Sequence, residues 1–166
     1  MIELLVTMTI VAALLGLSAR PLRHFWLVQS LEGATDAAVT QLREQQEDSV
    51  SQAYPRIFGA RFTAGSAEWT LFRYDPNAVA PAPTCTSESR SFAGGTFGGN
   101  VIVKSVAVTN DSAAAEYTNC ASAGDKVIFF YPRGSSTGGS IVLEQPNIGL
   151  EETVSVSVAT GRVTRT

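Results

Sequence analysis

The chain has 166 residues, with 12 Lys and Arg, 15 Asp and Glu, one His, and a net charge of −3. That length supports one domain with one modest core beside any terminal segment. The acidic balance excludes a general electrostatic attraction to nucleic acid. Two cysteines and one distant histidine do not make a metal-ligand set, and no cofactor is expected.

Residues 2–17 put a single carboxylate, Glu3, at the head of an otherwise uncharged apolar run. From Leu4 to Ala19 there is no charge, and the run includes Leu4, Leu5, Val6, Ile10, Val11, Leu14 and Leu15. As a helix it spans roughly 24 Å, slightly short of a bilayer core of about 30 Å. An ionised Glu in hydrocarbon costs roughly 2.5 kcal/mol or more unless a cation meets it. Glu3 therefore points to a partner group from another molecule. A buried soluble helix would not begin with an unpartnered carboxylate. A cleaved signal peptide would carry a basic segment ahead of the run. Residues 1–20 read as a retained membrane anchor.

Ile2-Glu3-Leu4-Leu5-Val6, followed by Ile10-Val11-Ala12-Ala13-Leu14, resembles the start of a mature type IV pilin or pseudopilin. Such chains begin Phe-Thr-Leu-Ile-Glu after a basic leader ending in Gly. The resemblance implies residues upstream of Met1, processed by a prepilin peptidase, and it implies that Glu3 neutralises the N-terminal amine of a neighbouring subunit and sets assembly register. It further implies a single-pass inner-membrane protein whose C-terminal domain lies outside the cytoplasm. Counted alone, Arg20, Arg23 and His24 would favour the opposite orientation. The leader implied by the resemblance would carry the opposing charge.

Pro21 is expected to break or bend the first helix just past the membrane. Beyond it Val28, Leu31, Thr35, Ala38 and Leu42 recur at helical spacing, with Val39 beside them. Gln41, Arg43, Glu44, Gln46 and Glu47 lie mostly on the other side. This is an amphipathic stem over residues 21–54, ended by Pro55, whose apolar stripe needs a sheet to cover it.

Residues 55–166 read as an antiparallel β domain. Residues 68–74 have a period-two component and end in Asp75-Pro76-Asn77, a turn signal. Residues 78–100, with Pro81, Pro83 and the glycines of 94–99, read as one long loop. Cys85 and Cys120 read as a disulfide tethering it, worth roughly 3–4 kcal/mol for such a loop, and this favours an exported domain. Two unrelated free thiols are the alternative. Residues 101–108, 126–131 and 140–143 are strand-like. Val154, Val156 and Val158 alternate with serines, and Ala159-Thr160-Gly161 turns the chain into Arg162–Arg165 as a terminal hairpin.

The whole is an α+β arrangement: a long N-terminal helix, half anchor and half amphipathic, packed on an antiparallel sheet. The pilin fold implied by the resemblance agrees with it. The C-terminal run, from Lys126–Pro132 through Ser140–Leu143 and Val154–Val158 to Thr160-Gly161-Arg162-Val163, resembles the GspH/FimT group of pseudopilins and minor pilins. Residues 56–125 carry no such resemblance.

Catalysis has little support in these residues. His24 sits at the membrane exit, far from any domain serine a triad would need. The glycines of 94–99 lack the Lys-Ser/Thr of a phosphate loop. Resemblance to the FimT branch raises DNA binding by the basic tail, through Arg162 and Arg165. The order Gly-Arg-Val-Thr-Arg has one residue more between the arginines than Gly-Arg-x-Arg. In a strand that turns Arg162 and Arg165 to opposite faces. The expected function is a filament subunit of a type IV pilus or type II secretion pseudopilus, partnered by other pilin subunits through their N-terminal helices. The alternative is a DNA-binding minor pilin.

Overall fold

The computed structural model describes residues 2–52, 56–75, 84–92, 101–110 and 125–166. One 50-residue helix, α1 (Ile2–Ser51), is followed by β1 (Ile57–Phe62), β2 (Glu68–Asp75), β3 (Thr84–Ser91), β4 (Ile102–Val108), β5 (Lys126–Phe130), β6 (Gly139–Gln145), β7 (Leu150–Val156) and β8 (Val163–Arg165). This is the expected α+β class.

The helix runs through Pro21 without a break. Proline's fixed φ is already helical, and the ring removes one backbone donor rather than the conformation. The helix ends at Ser51, with Gln52 N–H donating to Asp48 O at 2.9 Å. Pro55 lies outside the described residues. The buried stripe is Leu27, Leu31, Ala34, Thr35, Ala38, Val39 and Leu42, so Leu27 rather than Val28 begins it. Thr35 is tolerated there because its Oγ1 donates to Leu31 O at 2.9 Å.

The strands form two sheets, not the single one expected. The first has the order β3-β2-β1-β5 and the second β4-β6-β7-β8, and all pairs are antiparallel. Consecutive strands β4 and β5 therefore belong to different sheets. Alternation in sequence reports that a strand face is buried; it does not report which strand lies alongside. Both sheets share one core with α1. Leu31, Ala38 and Leu42 join Ala60 and Phe62 of β1, Trp69 and Leu71 of β2, Ile128 and Phe130 of β5, and Ile141, Leu143, Val154, Val156 and Val163 of the second sheet. Trp69 stacks between Phe62 and Phe92, at centroid distances of 5.1 and 6.0 Å. A smaller cluster of Phe72, Val127 and Phe129 forms apart from this core, with Phe72 edge-on to Phe129 at 5.5 Å.

Residues 84–91 are a strand rather than loop, a correction to the sequence reading. β3 pairs with β2 from Glu68↔Ser91 to Asp75↔Thr84, which sets Cys85 opposite Tyr74. As an edge strand it needs one ladder, and its polar side chains suit an exposed edge. Cys120, the turn at 76–77 and the glycines of 94–99 lie outside the described residues, and with Cys120 the expected disulfide does too.

Close backbone approach fixes the second sheet. Gly139 has φ +153°, and a Cβ there would lie 2.3 Å from the Ala107 carbonyl oxygen on β4. The obstacle is backbone held in a ladder, so no side-chain rotation relieves it. Gly139→Ala is expected to cost about 3 kcal/mol or more, from overpacking plus backbone strain. A urea denaturation midpoint equal to the parent's would contradict this pairing of β4 with β6.

Candidate assembly surface and C-terminal tail

Every described side chain from Glu3 to Trp26 is exposed, and burial begins at Leu27. Leu4, Val6, Met8, Ile10, Val11, Leu22, Phe25 and Trp26 are each about half exposed or more. The N-terminal half of α1 is thus a stalk whose described apolar side chains have no cover. Exposed apolar side chains in this number mark an interaction site. Its two threonines do not spoil it for an apolar setting: Thr7 Oγ1 donates to Leu4 O at 3.0 Å and Thr9 Oγ1 to Val6 O at 2.8 Å. Such bonds within the helix leave no hydroxyl proton unpartnered. Glu3 stands in the first turn, exposed, where the helix dipole favours a carboxylate. Leu5, Leu14 and Leu15 lie on the same helix. Among the described residues, no helix is long and apolar enough to cross a membrane.

The C-terminal hairpin is held against the polar flank of α1. Arg43 Nη2 donates to Val163 O at 3.0 Å and Gln46 Nε2 to Thr160 O at 2.7 Å. The turn closes with Gly161 N–H on Ser157 O at 2.9 Å and Ser157 N–H on Arg162 O at 3.0 Å. Gly161 takes φ +61°, a conformation glycine adopts without strain. Both Arg43 and Gln46 read from sequence as solvated, because helical periodicity sorts residues by polarity and says nothing of a carbonyl that a distant hairpin brings within reach.

The two tail arginines differ in surroundings. Arg162 is exposed, its backbone N–H on Thr160 Oγ1 at 3.3 Å. Arg165 is engaged: it pairs with Glu152 on β7 and with Asp36 on α1 at 3.0 Å, with Glu32 at 4.0 Å. Partial burial opposes its charge, and the hydrogen bonds and fields of Glu152 and Asp36 outweigh that, raising its pKa above the ordinary arginine value. Arg165 thus links helix to sheet through three carboxylates.

No protein-family model, curated protein or solved structure matches this chain.

Two further concavities adjoin α1. A groove of ≈ 560 Å³ lies between the helix and the β2–β3 side, with Trp26, Gly33, Ala37, Trp69 and Phe92 among its walls. Its polar groups are the amides of Gln29 and Gln41 and the hydroxyls of Ser30 and Ser91, none of them titratable. A cleft of ≈ 290 Å³ lies lower on the helix, between Arg23, His24 and Leu27 and the β6–β7 turn residues Asn147 and Ile148. At the base of that hairpin Lys104 on β4 pairs with Glu151 and, at 3.5 Å, with Glu144. The hydrogen bond to Glu151 leads in raising the Lys104 pKa above its usual value, against some desolvation, with the Glu144 charge assisting. Sequence spacing gave no sign of this clamp, since its three members come from three strands.

Proposed function

We propose that the chain is a subunit of a type IV pilin-like filament, a minor pilin or pseudopilin of a surface pilus or type II secretion system. It is held in the bacterial inner membrane by the N-terminal half of α1 until it joins the filament. The observation that carries the reading is the uncovered apolar stalk of α1, with Glu3 at its head and the sheet domain at its other end. The mechanism is partition plus pairing. A bilayer and a bundle of similar stalks both cover apolar surface, so transfer from one to the other loses little hydrophobic stabilisation. Glu3 then adds direction, because its charge is satisfied only where a neighbour's terminal amine lies beside it.

Because burial starts at Leu27, removal of residues 1–24 leaves the whole core in place. The shortened chain is expected to be a soluble folded monomer, while the full chain sediments with membranes and appears in filaments sheared from cells. Recovery of the full chain as a freely soluble monomer would remove the reading.

The alternative, DNA contact through the tail, has less behind it. Arg165 is occupied by Glu152 and Asp36. Arg162 alone would neutralise about one phosphate, giving a salt slope near −1 and weak affinity for a single copy. DNA is expected to run unretarded with this protein even at low salt. Retardation that disappears in Arg162→Ala with Arg165→Ala would restore the DNA reading.

A further inference from the structure

The second sheet descends along α1 in a fixed order. Gln46 holds Thr160, Arg43 holds Val163, Asp36 holds Arg165, and Ser30 accepts from Gln145 Nε2 at 3.4 Å. The last step is the cleft where Asn147 and Ile148 face Arg23, His24 and Leu27. The β6–β7 turn is therefore the part of that sheet nearest the bare stalk.

The height of that turn coincides with the end of the apolar helix surface. From Leu4 to Trp26 the helix rises about 34 Å, matching a bilayer core in length alone, since Arg20, Arg23 and His24 lie within it and the uncharged run rises only about 24 Å. Leu22 and Phe25 are exposed, and Phe25 meets Trp26 edge-to-face at 6.4 Å. Aromatic rings and basic residues whose apolar stems lie along the helix are the groups that settle at a headgroup boundary. Leu150, at the far end of the turn, is 40% exposed. The carboxylates that flank the turn, Glu144 and Glu151, are both drawn onto Lys104. Arg23, the cation beside the cleft, thus faces a turn where Lys104 offsets one of the two flanking acidic charges.

We propose that the base of the sheet domain, formed by the β6–β7 turn with Leu150 and by residues 22–26 of α1, seats on the anionic phospholipid headgroups of the bilayer that holds the chain's own stalk. The proposal rests on the membrane-anchor reading above. It gives the domain a second contact with the membrane and so a fixed tilt, rather than free rotation about a single helix. Basic residues are attracted to an anionic surface, and Lys104, by offsetting one of the two acidic charges beside the turn, lowers the repulsion that opposes that attraction.

The test uses the full chain in vesicles of phosphatidylcholine and phosphatidylglycerol, with a matched set brominated on the acyl chains near the glycerol. Leu150→Trp is made in a Trp26→Phe background, and Ile148→Trp serves as a second site. Trp69, only 3% exposed in the core, supplies the unquenched reference. Expected is a blue shift and a loss of emission in brominated vesicles for both new sites, with the loss reduced by Lys104→Gln when phosphatidylglycerol is present. A chain that floats with the vesicles but shows no quenching at either site overturns the seating and leaves the anchor standing. Burial of both sites that follows protein density rather than brominated lipid would assign the surface to a second copy, and also overturns it. A chain that fails to float overturns both readings.

Discussion

Leu42→Ala is expected to destabilise the domain by about 2–5 kcal/mol, and Leu22→Ala by almost nothing, although both remove the same atoms from the same helix. Leu42 is 0% exposed and belongs to the core that α1 shares with both sheets. Its loss leaves a cavity bordered by strands whose ladders hold them in place, so collapse around it is limited. Leu22 is 57% exposed, below the first buried residue of the stripe. Its truncation removes nothing from that core. Its effect should instead appear in membrane retention, where each buried methylene is worth roughly 0.8 kcal/mol. Urea denaturation of the two variants in detergent measures the first quantity, and partition between vesicles and buffer measures the second. Equal losses of folding stability at the two sites would mean that the stalk packs on the domain, contrary to the exposure of Leu22, Phe25 and Trp26.

The buried stripe of α1 from Leu31 to Leu42 was legible in the sequence, and the physical reason is simple. An uncharged run with Glu3 at its head and a one-sided stripe from Leu31 to Leu42 are local patterns, and the helix keeps local patterns in register over its full length. The strands were legible where burial alternates or where β-branched residues crowd, as in β4, β6 and β7. β1 was missed because Ile-Phe-Gly-Ala-Arg-Phe lies inside its sheet between β2 and β5, with Phe58, Gly59 and Ala60 buried in succession. A strand covered on both faces loses alternation. Gly59 is required there: a Cβ would meet Phe72 Cζ at 2.5 Å. β3 was missed for the opposite reason, since Thr-Cys-Thr-Ser-Glu-Ser-Arg-Ser offers almost no apolar signal and is held by its pairing with β2.

The terminal hairpin was legible, but the partners of its arginines were not. Arg162 precedes β8 and Arg165 ends it, and nothing local announced that Asp36, 129 residues earlier, would receive Arg165. Charge partners that meet across a fold are invisible to any window along the chain. The same holds for Lys104 with Glu144 and Glu151. Each case turns a residue that reads as free surface charge into part of the scaffold, and each changes which cations remain to meet a partner.

Glu3→Gln is expected to leave folding and membrane retention intact while removing the chain from filaments. The magnitudes separate these effects. At the first turn of α1 the helix dipole favours a carboxylate by about 0.3–1 kcal/mol. Burial of that carboxylate in hydrocarbon costs roughly 2.5–3.5 kcal/mol. The dipole therefore offsets less than half of the cost, and about 2 kcal/mol is left for another positive group to supply. Among the described side chains near it, residues 3–4 and 6–11, no cation stands beside Glu3, and Arg23 lies about 30 Å further along the helix, so the proposed compensation is a group from another molecule. Glutamine keeps the shape and the hydrogen-bonding ends but no charge, which makes insertion into lipid easier and pairing with an amine weaker. Membrane fractions should thus hold as much Glu3→Gln as parent, or more, and sheared filaments far less. Glu3→Asp should recover only part of the incorporation, because its carboxylate sits one methylene closer to the helix. Parent-like amounts of Glu3→Gln in filaments would show that the stalk assembles by apolar packing alone, and the pairing role of Glu3 would be withdrawn.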